Sequence, residues 1–232
     1  MRELEVVKRS AGQDVREYSY RFFKENIINM KLPPGETMSE AEAAYMLDIS
    51  RTPVHDTFSR LADEYLLTVW PQKATMVSKI DPCRVEQAVF MQRNLGCAVV
   101  RRIAREGVPE DQIFALESNL NQQFFCLGRN KLEHLFHLDQ EFHKIFYQLT
   151  DMEDIWTTLG YISSDLWRVC FLSENGEVNW SLQSDEHGKI LHLIHDKKYE
   201  KACEVIQNHM EYVLRELPLL QKKYPDYFGK NS

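Results

Sequence analysis

From Pro82 to about Glu216 the apolar residues recur at helical spacing with only short interruptions, and no other feature so restricts what these 232 residues can build. The pattern predicts helices at roughly 82–106, 109–127, 130–150, 152–173, 178–195 and 198–216. Gly107-Val108-Pro109, Gly128-Arg129-Asn130, Asp151, Ser173-Glu174-Asn175-Gly176 and the short gap from His195 to Lys198 separate them. Short connections and one apolar stripe per helix imply an antiparallel bundle, so the fold class is mostly α.

The first 80 residues are organised differently. A helix over 13–30, with Val15, Tyr18, Phe22 and Ile27 inward, ends at Lys31-Leu32-Pro33-Pro34-Gly35. Ser39, with Glu42 three residues on, starts a short helix carrying Ala43, Ala44 and Leu47. Asp48-Ile49 makes a turn, Ser50 is expected to cap a second helix, and Val54, Phe58 and Leu61 form its buried stripe. Arg51, Thr52, His55, Asp56, Ser59 and Arg60 are left outward, an arrangement that can place a helix in the major groove of DNA. Arg51 and Thr52 are the expected main contacts, with His55, Ser59 and Arg60 secondary. Strands over 66–70 and 74–78 flank Pro71-Gln72-Lys73, a wing from which Lys73 can meet a phosphate. His55 is expected to be mostly neutral at pH 7.

Composition narrows the function. The chain is 44% hydrophobic with few Gly and Pro, which gives it enough material for two small domains. No apolar window is long enough to span a bilayer and the charged N-terminus is unlike a signal peptide, so the expected location is cytoplasmic. Cys83, Cys97, Cys126, Cys170 and Cys203 are odd in number and lack a C-x-x-C pair, which favours reduced thiols. The formal charge of −7 runs against DNA binding, but residues 1–80 are near neutral and the remainder carries most of the acid.

Four polar residues interrupt the apolar stripes of the bundle. Asp139 and His143 lie one turn apart on a buried face, and His187 and His209 occupy inner positions of two later helices. A buried carboxylate is costly unless paired or metal-bound, and carboxylate plus imidazole suits Zn²⁺, Ni²⁺, Mn²⁺ or Fe²⁺. His134, His137 and His192 fall outside the stripes and are read as solvated, while His195 is left open.

The segments Leu32-Pro33-Pro34-Gly35-Glu36, Ser50-Arg51-Thr52-Pro53-Val54 and Leu61–Leu67 resemble the winged-helix head of the GntR family of bacterial transcription regulators. Asp139–His143, Glu186-His187 and His209 resemble the metal-binding pattern of the FCD ligand-binding domain in the FadR-type branch. The resemblance implies a winged helix-turn-helix domain over 1–80, an FCD-like domain over 81–218 and a polar tail, expected to fray, over 219–232. It further implies a homodimer on a palindromic operator, with a hinge at Ile80–Pro82 and a metal whose open positions take a small carboxylate effector. Where that family usually has Arg-x-x-Leu-Glu, this chain reads Gln92-Arg93-Asn94-Leu95-Gly96, so Arg93 and Arg102 are the candidate anion contacts. Two other readings stand beside this one: a metal that only staples the bundle, and a metal-dependent hydrolase with Glu186 or Glu141 as base.

Overall fold

The computed structural model describes residues 4, 9–10, 12–70, 74–129, 131–173 and 180–229. The chain divides into two compact units, Met1–Cys83 with Leu220–Ser232, and Arg84–Leu219. Among the described residues no helix is long and apolar enough to cross a membrane.

In the first unit α1 (Val15–Ile28) starts at Asp14, whose carboxylate accepts from the amides of Arg16 and Glu17. Phe23 of α1 meets Phe58 edge-on at 5.3 Å, and both rings are buried. α2 (Glu40–Leu47) opens with a reciprocal cap. Ser39 Oγ accepts from the Glu42 amide at 3.2 Å, and Glu42 accepts from the Ser39 amide at 2.8 Å. Asp48, at φ 52°, turns the chain in the left-handed region, which an aspartate tolerates. α3 (Arg51–Asp63) follows with Val54, Thr57, Phe58 and Leu61 buried. Ser50 occupies the N-cap position in extended conformation, but its side chain makes no capping bond, contrary to expectation.

The strands are shorter than the pattern predicts, and one was not foreseen. β1 (Thr37–Met38), β2 (Leu67–Thr68) and β3 (Thr75–Val77) form an antiparallel sheet in the order β1-β3-β2. A two-residue strand leaves too little alternation to be read from sequence, and β1 exists because Gly35 and Glu36 already bond across to Val77. The wing residues Pro71-Gln72-Lys73, and with them the candidate contact Lys73, lie outside the described residues.

The second unit is helical: α4 (Pro82–Glu106), α5 (Glu110–Leu127), α6 (Leu132–Gln148), α7 (Glu153–Ile162), α8 (Ser164–Ser173), α9 (Trp180–His195) and α10 (Tyr199–Lys223). Its core joins α4 residues Val100 and Ile103 to Phe142, Phe146, Leu159, Ile190, Ala202 and Ile206. The single helix expected over 152–173 is two, because the chain breaks at Ser163. Ser163 Oγ accepts from the buried Gln92 amide of α4 at 2.8 Å, which pins the break.

Two further expectations are corrected. The tail is ordered through Gly229: α10 continues to Lys223, and the amides of Ile80 and Gly229 bond to the carbonyls of Tyr227 and Ile80. Leu217, Leu220 and Phe228 are buried, and that apolar burial outweighs the polar composition of 219–232. The cysteines are not all free thiols, since Cys97 of α4 and Cys203 of α10 form a disulfide. Their separation of 106 residues hid a pairing that only the packing of the two helices creates.

Candidate metal centre and reading head

Asp139 and His143 project from successive turns of α6, His187 from α9 and His209 from α10, and one ligand atom from each lies within 4.8 Å of the others. His143 Nε2 is 3.1 Å from His209 Nε2, and His187 Nε2 is 3.3 Å from that same atom. Asp139 Oδ1 stands 3.4 Å from His187 Nε2 and 3.8 Å from His143 Nε2. Ligands about 2.1 Å from a shared ion are separated by roughly 3.0–3.4 Å in octahedral or tetrahedral geometry, so the four atoms fit one cation.

Hydrogen bonding behind the rings decides which nitrogens face inward. The main-chain carbonyl of Leu138 can only accept, so the Asn119 amide nitrogen donates to it, at 3.1 Å. Asn119 Oδ1 then accepts from Gln123 Nε2 at 2.8 Å, which leaves Gln123 Oε1 to accept from His187 Nδ1, also at 2.8 Å. The proton is therefore on Nδ1 of His187 and the Nε2 lone pair points into the cluster. Glu186 does the same for His209, its Oε2 lying 3.1 Å from Nδ1. Phe142 stacks on the His187 ring at 4.1 Å and holds its plane.

Burial pushes Asp139 up to about 6, despite the lowering effects of His209 and the Gln140 amide. His143 and His187 are held well below the ordinary imidazole range by burial first and by their histidine neighbours second. Two imidazoles that burial keeps neutral, a third ring held by Glu186 and a desolvated carboxylate converge in a donor set that suits a divalent cation. Sequence reading found the four inward residues but missed Asn119 and Gln123. Their only signal is an i, i+4 pair of amides, which on α5 looks like a solvated face.

The remaining site expectations are placed as follows. His134, His137 and His192 are exposed, as is His195. Arg93 pairs with Glu211, and Arg102 bonds Glu106 at 3.0 Å and the Thr150 carbonyl at 3.1 Å; neither lines the cavity beside the cluster. Each guanidinium thus meets an acceptor within the helical unit. Glu186 is spent on orienting His209, and Glu141 is exposed beside Lys144 at 3.6 Å, so neither carboxylate is positioned as a hydrolytic base.

On α3, Arg51, Thr52, His55 and Ser59 are exposed. Arg60 lies over the Tyr20 ring at 3.3 Å and bonds Glu17 at 3.1 Å, which ties it to α1. Asp56 is paired with Arg16 at 2.9 Å. His55 Nδ1 lies 2.8 Å from Glu40 Oε1 of α2, and that carboxylate, by hydrogen bond and then by charge, raises the imidazole above its ordinary value. The expectation of a mostly neutral His55 missed this partner fifteen positions away.

A helix-turn-helix beside a small antiparallel sheet, followed by a helical domain with a buried three-histidine, one-carboxylate cluster, defines a DNA-binding transcription regulator. Residues 20–77 match the bacterial regulatory proteins of the gntR family and residues 87–212 match the FCD domain, and the chain belongs to the GntR regulators that carry that domain. It is similar to the HTH-type transcriptional repressor RspR of Escherichia coli K12, at 27% identity over 94% of this chain and 95% of that protein. It is also similar to the Nta operon transcriptional regulator of Aminobacter aminovorans, at 25% identity over 88% and 96%. Among solved structures, E. coli McbR/YncC superposes with a TM-score of 0.77 at 15% identity, covering 91% of this chain and 99% of that one. A GntR-type regulator from Rhodococcus sp. RHA1 superposes with a TM-score of 0.73 at 16% identity, covering 88% and 97%. These relatives and families are transcription regulators, not enzymes.

Proposed function

We propose that Asp139, His143, His187 and His209 hold a divalent metal ion, and that a small carboxylate effector binds at its open positions and alters operator affinity. The observation that carries this reading is the direction of the hydrogen bonds: Glu186 and the Leu138–Asn119–Gln123 relay turn two Nε2 lone pairs toward Asp139 and His143. Zn²⁺, Ni²⁺, Mn²⁺ and Fe²⁺ all suit three imidazoles and a carboxylate. An ion that accepts more than four ligands keeps positions for a carboxylate, and the cavity bordering Asp139, His143 and His209 gives access to them. The ion supplies a point of attachment for the carboxylate, while Gln123 and Glu186 hold the rings that carry it.

On DNA the protein acts as a homodimer at a palindromic operator, since one recognition helix spans too few base pairs. Arg51 and Thr52 at the start of α3 are the leading contacts, with His55 and Ser59 behind them. A metal that serves only as a staple is the competing reading, because the ligands come from three helices. Replacing His187 and His209 by Asn separates the two. A folded protein that has lost metal and no longer changes its operator affinity in mobility-shift titrations with organic acids supports sensing, whereas loss of the folded state supports the staple.

A further inference from the structure

Arg51, His55 and Ser59 stand one turn apart along the exposed side of α3. The middle one is tied to the preceding helix. Ser39 and Glu42 fix where α2 starts, and Glu40, the first residue of that helix, brings its Oε1 to 2.8 Å from His55 Nδ1. An ionised carboxylate can only accept, so the proton between the two is on Nδ1 whether the ring is charged or neutral. The second ring nitrogen, Nε2, has no partner among the described residues, and the side chain is 66% exposed.

Fixing Nδ1 leaves Nε2 with two opposite capacities. In the charged ring it is an N–H that donates to guanine O6 or N7, and in the neutral ring it is a lone pair that accepts from the amino group of adenine or cytosine. An arginine in the same place only donates.

We propose, resting on the reading of α3 as the DNA-reading helix, that His55 contacts a base edge of the operator through Nε2 and that Glu40, by holding Nδ1, is its positioning residue. The contact favours guanine while the ring is charged and loses that preference once it is neutral. The groups that act on the ring support the charged form near neutral pH. Glu40 of α2 raises the imidazole above its ordinary value by hydrogen bond and then by charge, and Asp56 of α3, itself paired with Arg16 of α1 at 2.9 Å, adds to the effect. The preference for guanine is therefore present below the raised value and lost as the pH climbs through it.

The test selects duplexes from a randomised pool with the nickel-loaded full chain at about pH 6 and at about pH 8.5, then measures affinity for single-base variants of the selected duplex by fluorescence anisotropy. At the lower pH one position of each half-site is expected to favour guanine about tenfold, the equivalent of one charge-assisted hydrogen bond, and at the higher pH by about twofold or less. In His55→Arg the preference should persist at both pH values, and the other titrating groups, the metal ligands included, are common to the two proteins and cancel. In Glu40→Gln the preference should be lost at a lower pH than in the parent. Unchanged base preferences across the pH range overturn the proposal, as does a loss of preference that recurs in His55→Arg or a Glu40→Gln protein that matches the parent. An affinity that falls with pH by one factor for every sequence marks a phosphate contact and overturns it too. Arg51→Ala tests the underlying reading separately. If that variant binds the selected duplex like the parent while the pH-dependent preference persists, the leading role of Arg51 fails and the His55 contact stands. If it loses affinity while the parent's preferences ignore pH, α3 remains the reading helix and the His55 inference fails by itself.

Discussion

Gln123→Leu is the sharpest test of the relay behind the cluster. Leucine fills a similar volume but removes the oxygen that accepts from His187 Nδ1 at 2.8 Å. His187 is almost wholly buried, so no water replaces that oxygen, and a buried donor left unpaired costs about 1–3 kcal/mol. The ring then favours the opposite tautomer, with its proton on Nε2 and directed at His209 and Asp139, where a cation has to displace it. Binding of metal must overcome that preference, and loss of such an orienting partner weakens metal affinity by about 10–100-fold, or roughly 1.4–2.7 kcal/mol. Competition against a chromophoric chelator measures the change, with circular dichroism to verify the fold. Gln123→Glu keeps the acceptor for His187 while losing the bond to Asn119, and should bind metal more tightly than Gln123→Leu. A folded Gln123→Leu protein with undiminished metal affinity refutes the claim that the relay sets the tautomer.

Arg51→Ala should weaken operator binding in a mobility-shift titration while metal content stays constant, and unchanged binding removes Arg51 from the interface. The His55 resonance should titrate above 6.5 by NMR and return toward that ordinary value in Glu40→Gln. Because the folded value is raised, the α2–α3 ion pair contributes fully below pH 6.5 and is lost as the pH rises through the raised value; identical titrations in the two proteins contradict this. Asp165 is buried between Arg168, which is fully enclosed, and Arg84 at 2.7 Å. Asp165→Asn removes the carboxylate charge that Arg168 and Arg84 both meet and should destabilise the protein by more than about 1 kcal/mol in urea unfolding; unchanged stability is incompatible with that account.

Residues that declare themselves by breaking a pattern were legible in the sequence. Asp139, His143, His187 and His209 stand where an apolar side chain is due, and Ser39 with Glu42 announces a helix start within four residues. What escaped was fixed by partners distant in the chain. Asn119 and Gln123 look like surface amides until α6 and α9 close over them, and His55 looks neutral until Glu40 reaches it. Arg93 and Arg102 stand near the inner stripe, and their partners Glu211 and the Thr150 carbonyl lie 118 and 48 positions away. The break at Ser163 carries no Gly or Pro, and depends on an amide 71 residues away. Composition misled at the tail, where two buried apolar side chains, Leu220 and Phe228, stand among polar neighbours.

Two of the four inward residues share α6, and the others stand on α9 and α10. Turning an α-helix by one residue swings its side chains by about 100° around the axis. A one-position slip of α10 would thus carry His209 away and bring Asn208 or Met210 round in its stead. Anything that bonds all four side chains together consequently fastens three rods at a single point, beside the disulfide that already ties α10 to α4.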